Sequence, residues 1–266
     1  MIIITKRYGK FLIAIAILIL ALSFSGICEA AQSQQNFSQK DFYRSLSKRL
    51  SKNRADYKNL SDAEFANFRE VTTTGIGKGK LFRSSSPVKA WGNREQIADE
   101  LAKNAQIKTF INTADSDAKI LSLENFSGTY YSTQNFIGLD TGLKFQSRKF
   151  RQAIARGISF MAANDPPYLI HCDLGKDRAG IFCAIVECLC GASELEIEAD
   201  YMISFKNYFG IMPETGEYEL VVNSEIRRFL PLVLADKNTN SQTTKKFLLR
   251  IGVSEQEIAT LIQKLQ

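Results

Sequence analysis

His171 and Cys172 stand side by side, and Gly175, Lys176, Asp177 and Arg178 follow them, between a short apolar run (168–170) and a longer one (181–190). A strand ending at Cys172 and a helix beginning near Arg178 leave a loop between them. Its backbone N–H groups, from Asp173 through Leu174 and Gly175 onward, converge on one anion, because helix N-termini and such nests favour phosphate. The same field favours the thiolate form of Cys172, which makes its sulfur a nucleophile. Arg178 adds a planar fork that binds two phosphoryl oxygens and follows them into the transition state. Gly175 lets the backbone approach the anion closely. These residues read as a cradle for a phosphoryl group attacked by sulfur. The blander reading, a buried Cys172 with a surface Arg178, leaves the glycines without a purpose.

Other nucleophilic chemistries fit less well. With a single histidine, no separate base exists for a cysteine or serine hydrolase triad, and no His-based metal site can be assembled. His171 precedes Cys172 in a strand, so its side chain points to the opposite face. The stretch "HCDLGKDRAG" resembles the signature loop of the cysteine-dependent phosphatases of the protein tyrosine phosphatase superfamily, and its "GKDR" form is similar to the bacterial and atypical dual-specificity branch. Upstream, "LFRSSSP", "INTAD" and "FIGLD" before a long helix match that branch in order and spacing, so the likeness covers about residues 79–205.

The resemblance implies a central sheet flanked by helices, with no metal and no organic cofactor. It implies a phosphomonoester substrate, with phosphotyrosine or dual-specificity protein substrates foremost. A phosphoinositide or inositol phosphate is the alternative, and a phosphate-binding module without turnover is a second one. Cys172 is then the nucleophile, Arg178 and the loop amides bind the phosphoryl group, and Asp173, Leu174, Gly175, Lys176 and Asp177 line it. His171 organises the loop, and Lys176 is the expected contact for a second phosphate. Asp115, Asp117, Asp140 and Asp177 are the candidates for the general acid. The expectation falls on Asp140, which ends an apolar strand in a "DTG" turn 32 residues before Cys172, a separation the dual-specificity relatives share. Ala179 departs from the pattern, since relatives carry Ser or Thr there, whose hydroxyl helps the thiolate leave. Asp177, a hydroxyl of Ser84, Ser85 or Ser86, or water must take over, or the second step is slow.

The elements that position these residues follow from periodicity. "GKLFRSSSP" (79–87) reads as a strand and turn, and Asn93 with Gln96 caps a helix through about Ala105. Residues 107–114 and 129–139 are strand-like, rich in aromatic and branched side chains. Phe150, Ile154, Ile158 and Met161 repeat at helical spacing over 147–163, and Pro166 and Pro167 end that helix before the strand "YLIHC". The run 181–190 fits a central helix stopped at Gly191. Ser193 with Glu196, and Ser254 with Glu257, are capping pairs for two later helices. This alternation indicates an α/β layer structure.

The first thirty residues have a basic start (Lys6, Arg7, Lys10), an apolar run to about Phe24, and small residues Cys28 and Ala30, which reads as a secretion signal. An uncleaved anchor that keeps the protein near a membrane is the competing reading. Export to the periplasm or medium is the expected localisation. The domain expectation is a signal at 1–30, a polar extension at 31–70, a phosphatase domain at 71–235, and a polar loop with a packed C-terminal helix at 236–266. Removing the signal lowers the net charge from +6 to +4, a mild surplus that suits an anionic ligand, and nucleic acid is not an expected partner. Cys183, Cys188 and Cys190 lie on one helix, and their spacing does not suit a disulfide, so they are expected as buried core residues.

Overall fold

In a computed structural model, which describes residues 40–266, four short strands end in one row. They are β2 (Leu81–Ser84), β3 (Thr109–Asn112), β4 (Asn135–Gly138) and β5 (Tyr168–His171). The sheet order is β1-β2-β5-β3-β4, with β1 (Arg69–Glu70) antiparallel to β2 and the other pairs parallel. The register sets Ser84 opposite His171, His171 opposite Asn112, and Asn112 opposite Gly138. Four loops therefore leave the same edge of the sheet, the edge where open α/β folds place their ligands. Every residue of β2, β3 and β5 is buried, as expected for parallel strands covered on both faces.

The helices of this unit are α1 (Asp62–Phe65), α2 (Arg94–Asn104), α3 (Asp117–Leu121), α4 (Arg148–Ala163), α5 (Asp177–Cys190), α6 (Glu194–Phe209), α7 (Gly216–Ser224), α8 (Ile226–Leu234), α9 (Ser241–Arg250) and α10 (Glu255–Leu265). The central one is α5, buried from Ala179 through Leu189, packed on β5 and β2 and surrounded by α6, α8, α9 and α10. Its C-cap is Gly191 at φ 101°, as the sequence requires of a left-handed stop. Both capping boxes, Ser193 with Glu196 and Ser254 with Glu257, are formed. The α/β architecture read from the sequence is the observed one.

The chain divides into two compact units, Met1–Leu50 and Ser51–Gln266. In the first, residues 40–49 are helical. The signal segment 1–30 lies outside the described residues. Residues 51–70, read from sequence as part of a polar extension, lie in the second unit and supply β1 and α1. Among the described residues no helix is long and apolar enough to cross a membrane.

Three local expectations differ. The strand-like run 129–139 is extended only over β4, because the Asp99 carboxylate accepts the N–H groups of Tyr130 (2.7 Å) and Tyr131 (3.0 Å) and curls 131–133 into a 3-10 turn. Asn93 does not cap α2 with its side chain, since it adopts φ 66°, and the Glu95 carboxylate accepts the N–H of Trp91 at 2.8 Å instead. The polar stretch 236–246 is not all loop. The Asn240 side chain accepts the N–H of Thr243 at 3.0 Å, and α9 starts at Ser241.

Candidate active site

The loop between β5 and α5 is held from behind. Ser86 N–H donates to the Asp173 carbonyl (3.1 Å), and Asn67 Nδ2 (3.0 Å) and Tyr208 Oη (2.8 Å) donate to that of Leu174. Arg83 Nη2 donates to the carbonyls of Gly175 (2.8 Å) and Lys176 (3.1 Å). Each trans peptide plane points its N–H opposite to its carbonyl. Tethering four consecutive carbonyls outward therefore turns the following amides to the other side. No backbone N–H of 173–176 donates to a protein carbonyl among the described residues. Cys172 sits at the floor, 3 % exposed.

Two glycines are required by contact. Gly175 adopts φ +67°, and a Cβ there would meet the Ser84 carbonyl oxygen at 2.1 Å. At Gly180 a Cβ would meet the Tyr201 ring at 2.6 Å and Arg83 Nη2 at 2.8 Å. Arg83 can reach the loop only because Gly180 has no side chain.

The guanidinium of Arg83 is fully buried and pairs with Asp200 at 2.5 Å, and Arg69 Nε reaches the other oxygen of Asp200 at 2.9 Å. Burial opposes the charge of Asp200, but Arg69 and Arg83 outweigh it and hold the carboxyl below the usual carboxylate range. Breaking such a buried pair leaves an uncompensated charge, so Arg83→Met is expected to cost about 3 kcal/mol of stability. A urea midpoint that falls with unchanged slope is the expected reading, and an unshifted midpoint would mean that Arg69 alone satisfies Asp200.

At the mouth, Arg178 Nη2 donates to one oxygen of the Asp173 carboxylate, and Lys89 Nζ donates to the other at 2.7 Å. Arg178 Nη1 also reaches the Ala114 carbonyl at 3.4 Å, and Lys89 Nζ lies 3.8 Å from Asp115 Oδ1. Burial works against ionising Asp173, but Lys89 and Arg178 prevail and hold its carboxyl low. Asp115 is largely buried, and its second oxygen has no hydrogen-bond partner.

The other residues singled out in the sequence have different surroundings. The Lys176 ammonium pairs with Asp177 and lies 4.4 Å from the centre of the Phe205 ring, its side chain only 13 % exposed. It is committed to that packing, whereas Lys89 is the lysine at the mouth. Asp140, at φ 43°, gives its half-exposed carboxylate to Lys149 at 2.6 Å. Its N–H donates to the Asp115 carbonyl at 3.2 Å, so the two aspartates share one rim of the sheet. His171 Nε2 lies 3.2 Å from Tyr131 Oη, and burial pushes the imidazole down to about 3, so it stays neutral in the interior. Ser84 Oγ donates to the Ser85 carbonyl (2.6 Å), and Ser86 Oγ accepts from Lys89 N (3.0 Å). Among these three serines the Ser85 hydroxyl alone lacks a partner. Cys172, Cys183, Cys188 and Cys190 are all free thiols.

Asn67, Arg69, Arg83, Lys89, Asp200 and Tyr208 escaped the sequence reading. Only Arg83 left a signal there, as a charge inside the otherwise apolar start of "LFRSSSP".

A family model described as the tyrosine phosphatase family matches residues 140–266. The matched span begins at the rim aspartate, contains the whole cradle, and continues through α10. No curated protein matches the chain.

Proposed function

We propose that this chain, whose residues 140–266 match the tyrosine phosphatase family, hydrolyses phosphomonoesters through a phosphocysteine intermediate, with phosphotyrosine and related phosphoprotein groups as the foremost substrates. One observation carries the reading: carbonyls 173–176 are tied outward around a buried Cys172, with Arg178 at the rim. That arrangement offers a ring of amides and a guanidinium to three phosphoryl oxygens, and their fixed dipoles stabilise charge as it develops.

In the first step the Cys172 thiolate attacks phosphorus in line, the S–P bond forms and the P–O bond to the leaving group breaks. A carboxylic acid protonates the departing oxygen. Water then attacks phosphorus, the same carboxylate accepts its proton, and the thiolate leaves with the S–P electrons. For the acid we favour Asp115 over Asp140, because Asp115 is joined through Lys89 to Asp173 and Arg178, whereas the Asp140 carboxylate is held by Lys149. The basic and apolar N-terminal run supports an exported enzyme.

Ala179 leaves the second step without the usual neighbouring hydroxyl, and the unpartnered Ser85 hydroxyl is the substitute we favour. Rapid mixing with an aryl phosphate is expected to release about one equivalent of phenol in a burst, followed by slower turnover. Ala179→Ser should speed the slow phase, and Ser85→Ala should slow it. Absence of any phosphate release from aryl phosphates and phosphopeptides would replace the enzyme with a phosphate-binding module.

A further inference from the structure

We infer that Lys89 is a further substrate-binding residue, which selects phosphomonoesters carrying a second anionic group beside the scissile phosphate, and that the Asp173 carboxylate competes with that group for Lys89. The inference rests on the phosphatase reading above. Its starting point is how firmly Lys89 is tied to the cradle. The Ser86 N–H bonds the Asp173 carbonyl at 3.1 Å, and the Ser86 hydroxyl accepts the N–H groups of Val88 (3.3 Å) and Lys89 (3.0 Å). The turn that carries Lys89 is thus anchored on the first residue of the phosphate loop, although 84 positions separate Lys89 from Asp173.

The Asp173 carboxylate bridges the two cations, with one oxygen on Arg178 and the other 2.7 Å from Lys89 Nζ. Lys89 and Arg178 therefore lie within the width of one small anion of each other. They differ in depth: the Lys89 side chain is 43 % exposed and that of Arg178 17 %, so Lys89 stands at the mouth, outside the scissile position. Asp173 is itself 40 % exposed and can rotate outward to another rotamer. The loop's own lysine cannot serve here, since Lys176 is taken by Asp177 and the Phe205 ring.

Charge balance turns this into selectivity. Lys89 and Arg178 face Asp173 and Asp115, two cations against two carboxylates. A substrate with one phosphate displaces Asp173 from Arg178 but offers Lys89 nothing in exchange. One that brings a second anion replaces both partners, and a phosphoryl group is a stronger acceptor than a carboxylate. The short span favours a small bis-phosphate over a doubly phosphorylated peptide. Successive residues of an extended chain face opposite ways, and the next on the same face lies about 7 Å along.

Inorganic pyrophosphate and orthophosphate are suitable probes, titrated calorimetrically into the full chain carrying Cys172→Ser, which cannot turn over. Pyrophosphate is expected to bind about tenfold or more tighter than orthophosphate. Adding Lys89→Met should weaken pyrophosphate about tenfold and orthophosphate less than about threefold, erasing most of the margin, while Lys89→Arg restores it. Asp173→Asn should tighten pyrophosphate. Equal losses for both ions in Lys89→Met, or no initial preference for pyrophosphate, would overturn the inference. A Lys89-dependent preference seen only with a doubly phosphorylated peptide would overturn the assignment to small bis-phosphates. Because these titrations need no turnover, they separate the two claims. Failure of the wild type to release phosphate, with the Lys89-dependent margin intact, would remove hydrolysis and keep the second-anion site.

Discussion

Cys172→Ser is expected to lower turnover by about 10⁴-fold or more, because under the proposed mechanism no other group in the cradle forms the covalent intermediate. The serine hydroxyl has nearly the thiol's size, so the floor stays filled and the 3 % exposure of the site is unchanged. The tethers of the loop all go to backbone carbonyls of 173–176, none to the sulfur, so the amides remain turned inward. Vanadate or tungstate should therefore bind the variant, and its urea midpoint should match the wild type. The comparison is made on an aryl phosphate, with a chelator in a parallel reaction. Activity within tenfold of wild type in the variant, or loss of wild-type activity on chelation, would sink the cysteine mechanism.

Asp115→Asn is expected to cost about 10²- to 10⁴-fold on substrates with poor leaving groups and far less on activated aryl phosphates, the signature of lost acid catalysis. In barrier terms this is about 3–5 kcal/mol, carried by one proton at the leaving oxygen. The sequence pointed instead to Asp140, at the end of an apolar strand and in a turn that could close over substrate. Its carboxylate is engaged by Lys149 at 2.6 Å, while the largely buried Asp115 stands beside Lys89 in the ion-pair chain that ends at Arg178. The two are separable because their backbones touch but their side chains answer to different partners. A leaving-group dependence found in Asp140→Asn and missing from Asp115→Asn would return the role to Asp140 and imply that its turn moves during the reaction. Equal slowing of both substrate classes by Asp115→Asn would reduce Asp115 to holding Lys89.

The residues of the cradle were legible because its working parts are contiguous. Backbone amides, a cysteine and an arginine within 172–178 need only a strand before them and a helix after them, and both are announced by short-range pattern. Helix starts were equally legible where a serine and a glutamate three residues on form a capping box, as at Ser193 and Ser254. The strand-like run 129–139 was misread because a partner distant in sequence intervened. Asp99 reaching Tyr130 and Tyr131 turned an apparent strand into a 3-10 turn.

By itself, then, the sequence determined the α/β class and marked Cys172 and the loop after it as the candidate nucleophile and anion cradle, since each depends on residues adjacent in the chain or on a local period. Tertiary structure decided which charges stand around the loop. Arg83 and Lys89 come from β2 and the turn after it, Asp115 from the loop after β3, and Asp200 from α6. Arg83 and Asp200 meet behind the loop, and Lys89 and Asp115 meet at its mouth, because parallel register ends β2, β5, β3 and β4 in one row. The physical reason is that a charged side chain takes whichever partner packing brings within a few ångströms, and Coulomb energy in a partly buried site rewards proximity in space alone. Spacing along the chain gives no sign that Lys89 and Asp115 stand beside Asp173; the sheet's register and the loops leaving its edge bring them there.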